Sequence, residues 1–135
     1  MAKKDKDYQI MIFGKAGCDK CAVLEKRVDS LITKPDWQEF GKLKIDVESE
    51  EGLVEFCQCE CVNPQRIPAF VVQKWNDKTK SYENVQNPSP SSEDDVCGNS
   101  KLYTLMGIQT DYTERGKGLI SPKMIKSVLQ EAKSV

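Results

Sequence analysis

The first strong pattern along the chain is an almost unbroken apolar run, Ile10 to Phe13, within YQIMIF (8–13). Such a run suits a strand covered on both faces. Gly14 and Gly17 break it. From Cys18 the period changes. Cys21, Leu24, Val28, Leu31 and Ile32 recur at helical spacing, with Glu25, Lys26, Arg27 and Asp29 between them. That pattern predicts an amphipathic helix ending before Pro35. KLKIDV (42–47) alternates, with Leu43, Ile45 and Val47 on one side and Lys44 and Asp46 on the other, as in a strand with one wetter face. Two strands joined by a helix long enough to cross over predict a right-handed βαβ unit with parallel strands.

The second half is read the same way. EEGLVEFCQ (50–58) predicts a short helix with Leu53, Phe56 and Cys57 on one face, and PAFVVQKW (68–75) a buried strand. NDKTK (76–80) turns the chain so that SYENV (81–85) pairs back as a hairpin. NPSPSSEDDVCGNS (87–100) reads as an exposed, mobile loop, LYTLMGIQT (102–110) as a further strand and TERGKG (113–118) as a loop. SPKMIKSVLQEAK (121–133) predicts a helix capped by Ser121, with Pro122 in its first turn. Its apolar face is Met124, Ile125, Val128, Leu129 and Ala132.

At 135 residues, one domain with one core is expected, spanning 8–135 behind a loose charged end at 1–7. A net charge of −1 gives no nucleic-acid surface. No apolar run approaches the roughly 20 residues of a membrane helix. The charged start is not followed by a continuous apolar segment, so a signal peptide is not expected and the default compartment is the cytoplasm. Six cysteines, at 18, 21, 57, 59, 61 and 97, then point to catalysis, metal binding or packing rather than a disulfide framework. The absence of histidine removes Cys–His nucleophile pairs and mixed Cys/His zinc sites.

Cys18 falls where the first strand gives way to the first helix. Free backbone N–H groups and the helix dipole favour a thiolate there, with Lys20 adding to that field and Asp19 opposing it. Cys21 lies one turn further on, on the core-facing side, and should be the less exposed of the two. An exposed thiolate attacks a disulfide and a second thiol resolves the mixed disulfide. Zinc knuckles use the same C-x-x-C spacing. A zinc ribbon would carry a second C-x-x-C, which this chain lacks, and the strand–glycine–C-x-x-C–helix context favours the redox pair. A proline directly before a buried strand, as in RIPAFVV (66–72), is tolerated when it starts the strand and turns the backbone.

Together, FGKAGCDKCAVLEKRV (13–28) and RIPAFVV resemble the thioredoxin-like superfamily, and in particular its small thioredoxins and glutaredoxin-like proteins with a G-C-x-x-C motif. KIDV (44–47) is similar to that family's second strand. The resemblance covers residues 8–75 well and the last helix more loosely. It implies an α/β thioredoxin fold, a βαβ–ββα core whose central mixed sheet is flanked by helices, with an inserted loop near 87–100. It also implies a thiol–disulfide oxidoreductase. Cys18 would attack, Cys21 would resolve, and Pro68 would pack beside the pair through a cis Ile67–Pro68 bond. Gly17, Asp19, Lys20, Arg66 and Ile67 would flank the substrate, with the Ile67 backbone left free to pair with an extended segment. Protein disulfides and a reductase would be the partners of a monomer that needs no cofactor. The chain departs from the general W-C-G-P-C motif: Gly17 precedes the first cysteine and Asp19–Lys20 fill the pair. Ile12 stands where many members bury an acid.

FCQCECVN (56–63) is a separate feature. In a continuing helix Cys57 and Cys61 share a face and Cys59 points away; in an extended chain all three point one way. Cys57 fits simple packing beside Phe56. Cys59 or Cys61 is expected to act as a second redox thiol, with Cys57 or Cys97 as partner. The competing expectation is a zinc or iron–sulfur site built from these thiolates with Cys18 and Cys21.

Overall fold

The computed structural model describes residues 6–58, 66–87, 97, 100–102, 104–114 and 117–134, and of 55–58 the backbone alone. The apolar run becomes β1 (Tyr8–Gly14) and the amphipathic stretch α1 (Asp19–Ile32); a short 3-10 turn at Pro35–Trp37 then leads into β2 (Phe40–Asp46). α2 (Glu50–Gln58), β3 (Ala69–Asn76), β4 (Ser81–Asn84), β5 (Gly107–Gln109) and α3 (Pro122–Lys133) complete the chain. β1 and β2 are parallel across the α1 crossover, and β3 runs antiparallel to β1. The sheet order is β2-β1-β3-β4, with β5 also on β3. This is the βαβ–ββα core with a mixed sheet and flanking helices that the sequence led us to expect.

The fourth sheet position is shared. β4 pairs antiparallel with Gln73–Asn76 of β3, and β5 pairs antiparallel with Ala69–Val71 of the same strand. The two therefore line up as one strand interrupted by the insertion. They meet at Val72, whose N–H donates to Met106 O (2.8 Å) and whose carbonyl accepts from Val85 N–H (3.0 Å). The further strand expected over 102–110 is thus the second half of the hairpin strand, with regular strand at Gly107–Gln109.

Alternation along the central strands divides the core between two faces. Ile10, Ile12, Phe70 and Val72 pack with Leu24 and Val28 of α1 and with Ile125, Val128, Leu129 and Ala132 of α3. Met11, Phe13, Ala69 and Val71 pack on the other face with Leu102 and Leu105. The Ser121 hydroxyl caps α3 by accepting from Met124 N–H at 3.2 Å, as the Ser-Pro start suggested.

Three expectations are corrected. Leu53 is exposed, because α2 meets the sheet through Gly52, where an added Cβ would overlap the Asp46 carbonyl. The 87–100 loop is not exposed at its described residues: Asn87, Cys97 and Ser100 are all buried. Asn87 donates from Nδ2 to Leu102 O (3.0 Å), and Cys97 packs in the α3-side core. At the N-terminal end, Lys6 is bonded to the Tyr82 hydroxyl and Asp7 O accepts from Trp75 N–H, so these two residues extend the sheet rather than hang loose. Among the described residues no helix is long and apolar enough to cross a membrane.

Candidate active site

Cys18 is the N-cap of α1, in extended backbone, and its Sγ accepts from Cys21 N–H at 3.2 Å. Gly17, at φ +74°, makes the left-handed turn that delivers the chain to this cap. Cys18 and Cys21 are joined as a disulfide across a Cα separation of 5.2 Å, inside the usual range. Cys18 is partly exposed and Cys21 is 5% exposed. Gly14 leaves room for Cys21: a Cβ there would lie 3.1 Å from Cys21 Cβ. The sequence prepared this asymmetry through the helical register, which puts Cys21 on the stripe of Leu24 and Val28.

Pro68 reaches the same end of the sheet. Phe13 pairs with Ala69 in the β1–β3 ladder, so the register sets buried Pro68 across from Gly14, the residue against which Cys21 packs. The Ile67–Pro68 peptide bond is cis. Asp19 and Lys20, exposed, fill the space between the cysteines; Arg66 and Ile67, partly buried, precede the proline.

The backbone before β3 is not left free. Thr110 N–H donates to Arg66 O (3.0 Å), and Arg66 returns a bond from Nε to Thr110 O (2.7 Å). The Thr110 hydroxyl donates to Pro68 O (2.6 Å), and the Tyr112 hydroxyl donates to Ile67 O. Three successive carbonyls, 66 to 68, therefore accept from the segment that leaves β5. The expectation of an unengaged Ile67 backbone is corrected at its carbonyl.

Tyr112 also meets the cysteine motif. Lys20 Nζ lies over its ring, 4.6 Å from the centroid, a cation–π contact. Gly118, at φ +68°, closes the loop by donating its N–H to Asp111 O (2.7 Å). A side chain at Gly118 would run into Lys20 Nζ and the Tyr112 ring. Buried Asp111 braces the loop by accepting from the Thr113 backbone N–H (3.0 Å) and hydroxyl (2.7 Å) at Oδ1. Arg27 Nη1 donates to Ile120 O (2.6 Å), fixing the following residues against α1. A cavity of about 200 Å³ opens between α1 and this segment, lined by Lys20, Val23, Arg27, Gly118 and Leu119.

Thr110, Tyr112 and Gly118 are the site residues that sequence reading missed. The glycine and charge content of TERGKG marked a loop, and nothing local to it shows that the chain there returns to the C-x-x-C. Of the expected secondary thiols, Cys97 sits in the core with Sγ donating to Met124 O (3.7 Å). Cys59, Cys61 and the Cys57 side chain lie outside the described residues. Among the described residues no cluster of three or more metal-ligating side chains occurs.

No family model matches the chain, and no curated protein does. Among solved structures, mitochondrial thioredoxin 3 from Saccharomyces cerevisiae, in its oxidised form, is 20% identical with a TM-score of 0.38; the match covers 51% of this chain and 58% of that one. The poxviral disulfide oxidoreductase G4, described as essential for cytoplasmic disulfide bond formation, is 19% identical with a TM-score of 0.44 over 93% of both chains.

Proposed function

We propose that this protein is a thioredoxin-like thiol–disulfide oxidoreductase whose redox centre is the Cys18–Cys21 pair and whose substrates are protein disulfides. The observation that carries the reading is the pair itself: a disulfide at a helix N-terminus, its first sulfur partly exposed and its second buried beside the Pro68 end of β3. A helix start favours negative charge on the first sulfur, and burial protects the second from competing reactions.

In the reducing direction, the Cys18 thiolate attacks one sulfur of the substrate disulfide. A Cys18–substrate bond forms, the substrate S–S bond breaks, and the leaving thiolate takes a proton. Cys21, deprotonated, then attacks Cys18 Sγ and releases the second substrate thiolate, which is protonated in turn. Two electrons and two protons pass from the protein dithiol to the substrate, leaving Cys18 and Cys21 oxidised. A dithiol reductant, protein or small molecule, regenerates the pair by the same exchange, and in the opposite direction the pair oxidises a substrate dithiol. The chemistry needs no metal or organic cofactor. Exposed Asp19 and Lys20, with Arg66 and Ile67 across the site, are the side chains we assign to substrate contact. A reducing cytoplasm, which maintains thiol reductants, is the compartment that suits the reading.

The test is catalysed reduction of a disulfide-bonded protein by an excess of small dithiol. The wild type should accelerate it at least tenfold over the dithiol alone, and Cys18→Ser should return the rate to background. Equal rates for the two proteins overturn the reading.

A further inference from the structure

We propose that Tyr112 is a specificity-determining residue that occupies the main-chain position an extended polypeptide substrate must take. The inference rests on the oxidoreductase reading above and adds how that site chooses among disulfides.

An extended segment binds beside a strand by exchanging main-chain hydrogen bonds with it. Next to the cysteine pair, the carbonyls available for such pairing are those of Arg66, Ile67 and Pro68. Two of them are already held from inside the protein. Arg66 O and Pro68 O accept from the N–H and hydroxyl of Thr110, which is 1% exposed and continues directly from β5. Removing those bonds would mean pulling β5 off β3. Ile67 O is different. Its donor is the hydroxyl of a side chain that is 49% exposed. Tyr112 can swing away without disturbing the sheet, so the Ile67 carbonyl is the one that can change partner.

The same side chain is held from the cysteine side by Lys20, the residue immediately before Cys21. The Lys20–Tyr112–Ile67 chain thus spans the opening between the C-x-x-C and the pre-proline segment. Gly118 keeps the space in which Lys20 and Tyr112 meet. A peptide N–H that pairs with Ile67 O competes with the Tyr112 hydroxyl for the same oxygen. A small disulfide with no peptide backbone has no such bond to make and meets no such competition. Tyr112 therefore weakens binding of extended peptide disulfides relative to small ones and favours those peptides whose other contacts, over the Tyr112 ring and Leu119, make up the difference.

Tyr112→Phe removes the hydroxyl and keeps the ring for Lys20. With the wild type and this variant, kcat and KM are measured for a peptide containing one intramolecular disulfide and for a small aromatic disulfide. The variant should raise the peptide-to-small-disulfide ratio of kcat/KM by roughly two- to tenfold, the worth of one exchangeable hydrogen bond, and the change should sit in the peptide KM. A ratio that is unchanged or lowered overturns the proposal, as does a change confined to kcat. A second measurement is independent of turnover. The peptide with both cysteines replaced by serine is titrated by calorimetry into the oxidised protein. Tighter binding to Tyr112→Phe supports the proposal; equal or weaker binding, or none to either protein, overturns it. If neither protein reduces any disulfide while the variant still binds the serine peptide more tightly, the oxidoreductase reading fails and the role of Tyr112 at Ile67 stands.

Discussion

At the scale of single residues, the roles proposed for Cys18 and Cys21 rest on their difference in burial. The Cys21 N–H meets the Cys18 sulfur, and Cys18 is the partly exposed member of the pair whereas Cys21 is buried. Alkylation of the reduced protein at neutral pH should modify Cys18 at least tenfold faster than Cys21, read by peptide mapping; faster labelling of Cys21 would reverse the assignment. Gly118 carries a second expectation at this scale. A left-handed backbone costs a residue with a Cβ about 1–2 kcal/mol, so Gly118→Ala should lose that much stability in urea denaturation. The displaced Lys20 tip should also alter turnover of peptide disulfides.

At the scale of elements, α1 is tied to β2 by charge. Lys42 Nζ bonds Glu25 Oε1 (2.9 Å) and Asp29 (2.9 Å to Oδ1), two positions on one face of the helix. The hydrogen bond from Lys42 holds the Glu25 carboxyl below its usual range, against the opposing effect of burial. Burial alone would lower the Lys42 ammonium, but the hydrogen bonds to Asp29 and Glu25 outweigh it and raise it. A lowered carboxylate stabilises the fold above its unfolded pKa and loses that effect as pH falls through the folded value; a raised ammonium does so below its unfolded pKa and loses it as pH rises. Lys42→Met should therefore cost up to about 1 kcal/mol between about pH 5 and pH 10, with the two proteins converging outside that window in urea titrations. A constant difference at every pH would assign the loss to packing of the lysine stem instead.

Legibility in the sequence differed among these elements for physical reasons. β1 and β3 carry continuous apolar runs and α1 and α3 a helical period, and their burial follows those signals. The interrupted fourth strand was hidden. SYENV and LYTLMGIQT read as two separate short strands, and only pairing with the same edge of β3 reveals that β4 and β5 are collinear, which is a tertiary fact. Cys97 was hidden by composition, since Val96 and Cys97, adjacent in a Pro/Ser/acidic stretch, have no period to announce burial. In α2 the apolar Leu53 suggested a core face, whereas close approach to Asp46 selected Gly52. The cysteines and proline of the site were legible because their chemistry is local to a motif. Tyr112 was not, because its two contacts are with Lys20 and Ile67, far away in sequence.

At the scale of the whole molecule, β1 and β3 lie between the two apolar layers, so each layer supports the strands whose ends adjoin the Cys18–Cys21 pair at the start of α1. Leu129→Ala, at a fully buried α3 position, should cost about 2–5 kcal/mol, measured by denaturant unfolding, although Leu129 lies in the helix layer rather than at the cysteine end. Cys97, Leu102 and Leu105, between β4 and β5, sit within these two layers. The most direct test of the central claim is to trap the exchange itself. Reduced Cys21→Ser is mixed with a disulfide-bonded protein, quenched in acid and mapped by mass spectrometry. The account predicts one substrate molecule linked covalently through Cys18, released by added dithiol, with no adduct in Cys18→Ser/Cys21→Ser. An adduct through another cysteine, or no adduct while the substrate disulfide stays intact, would contradict it.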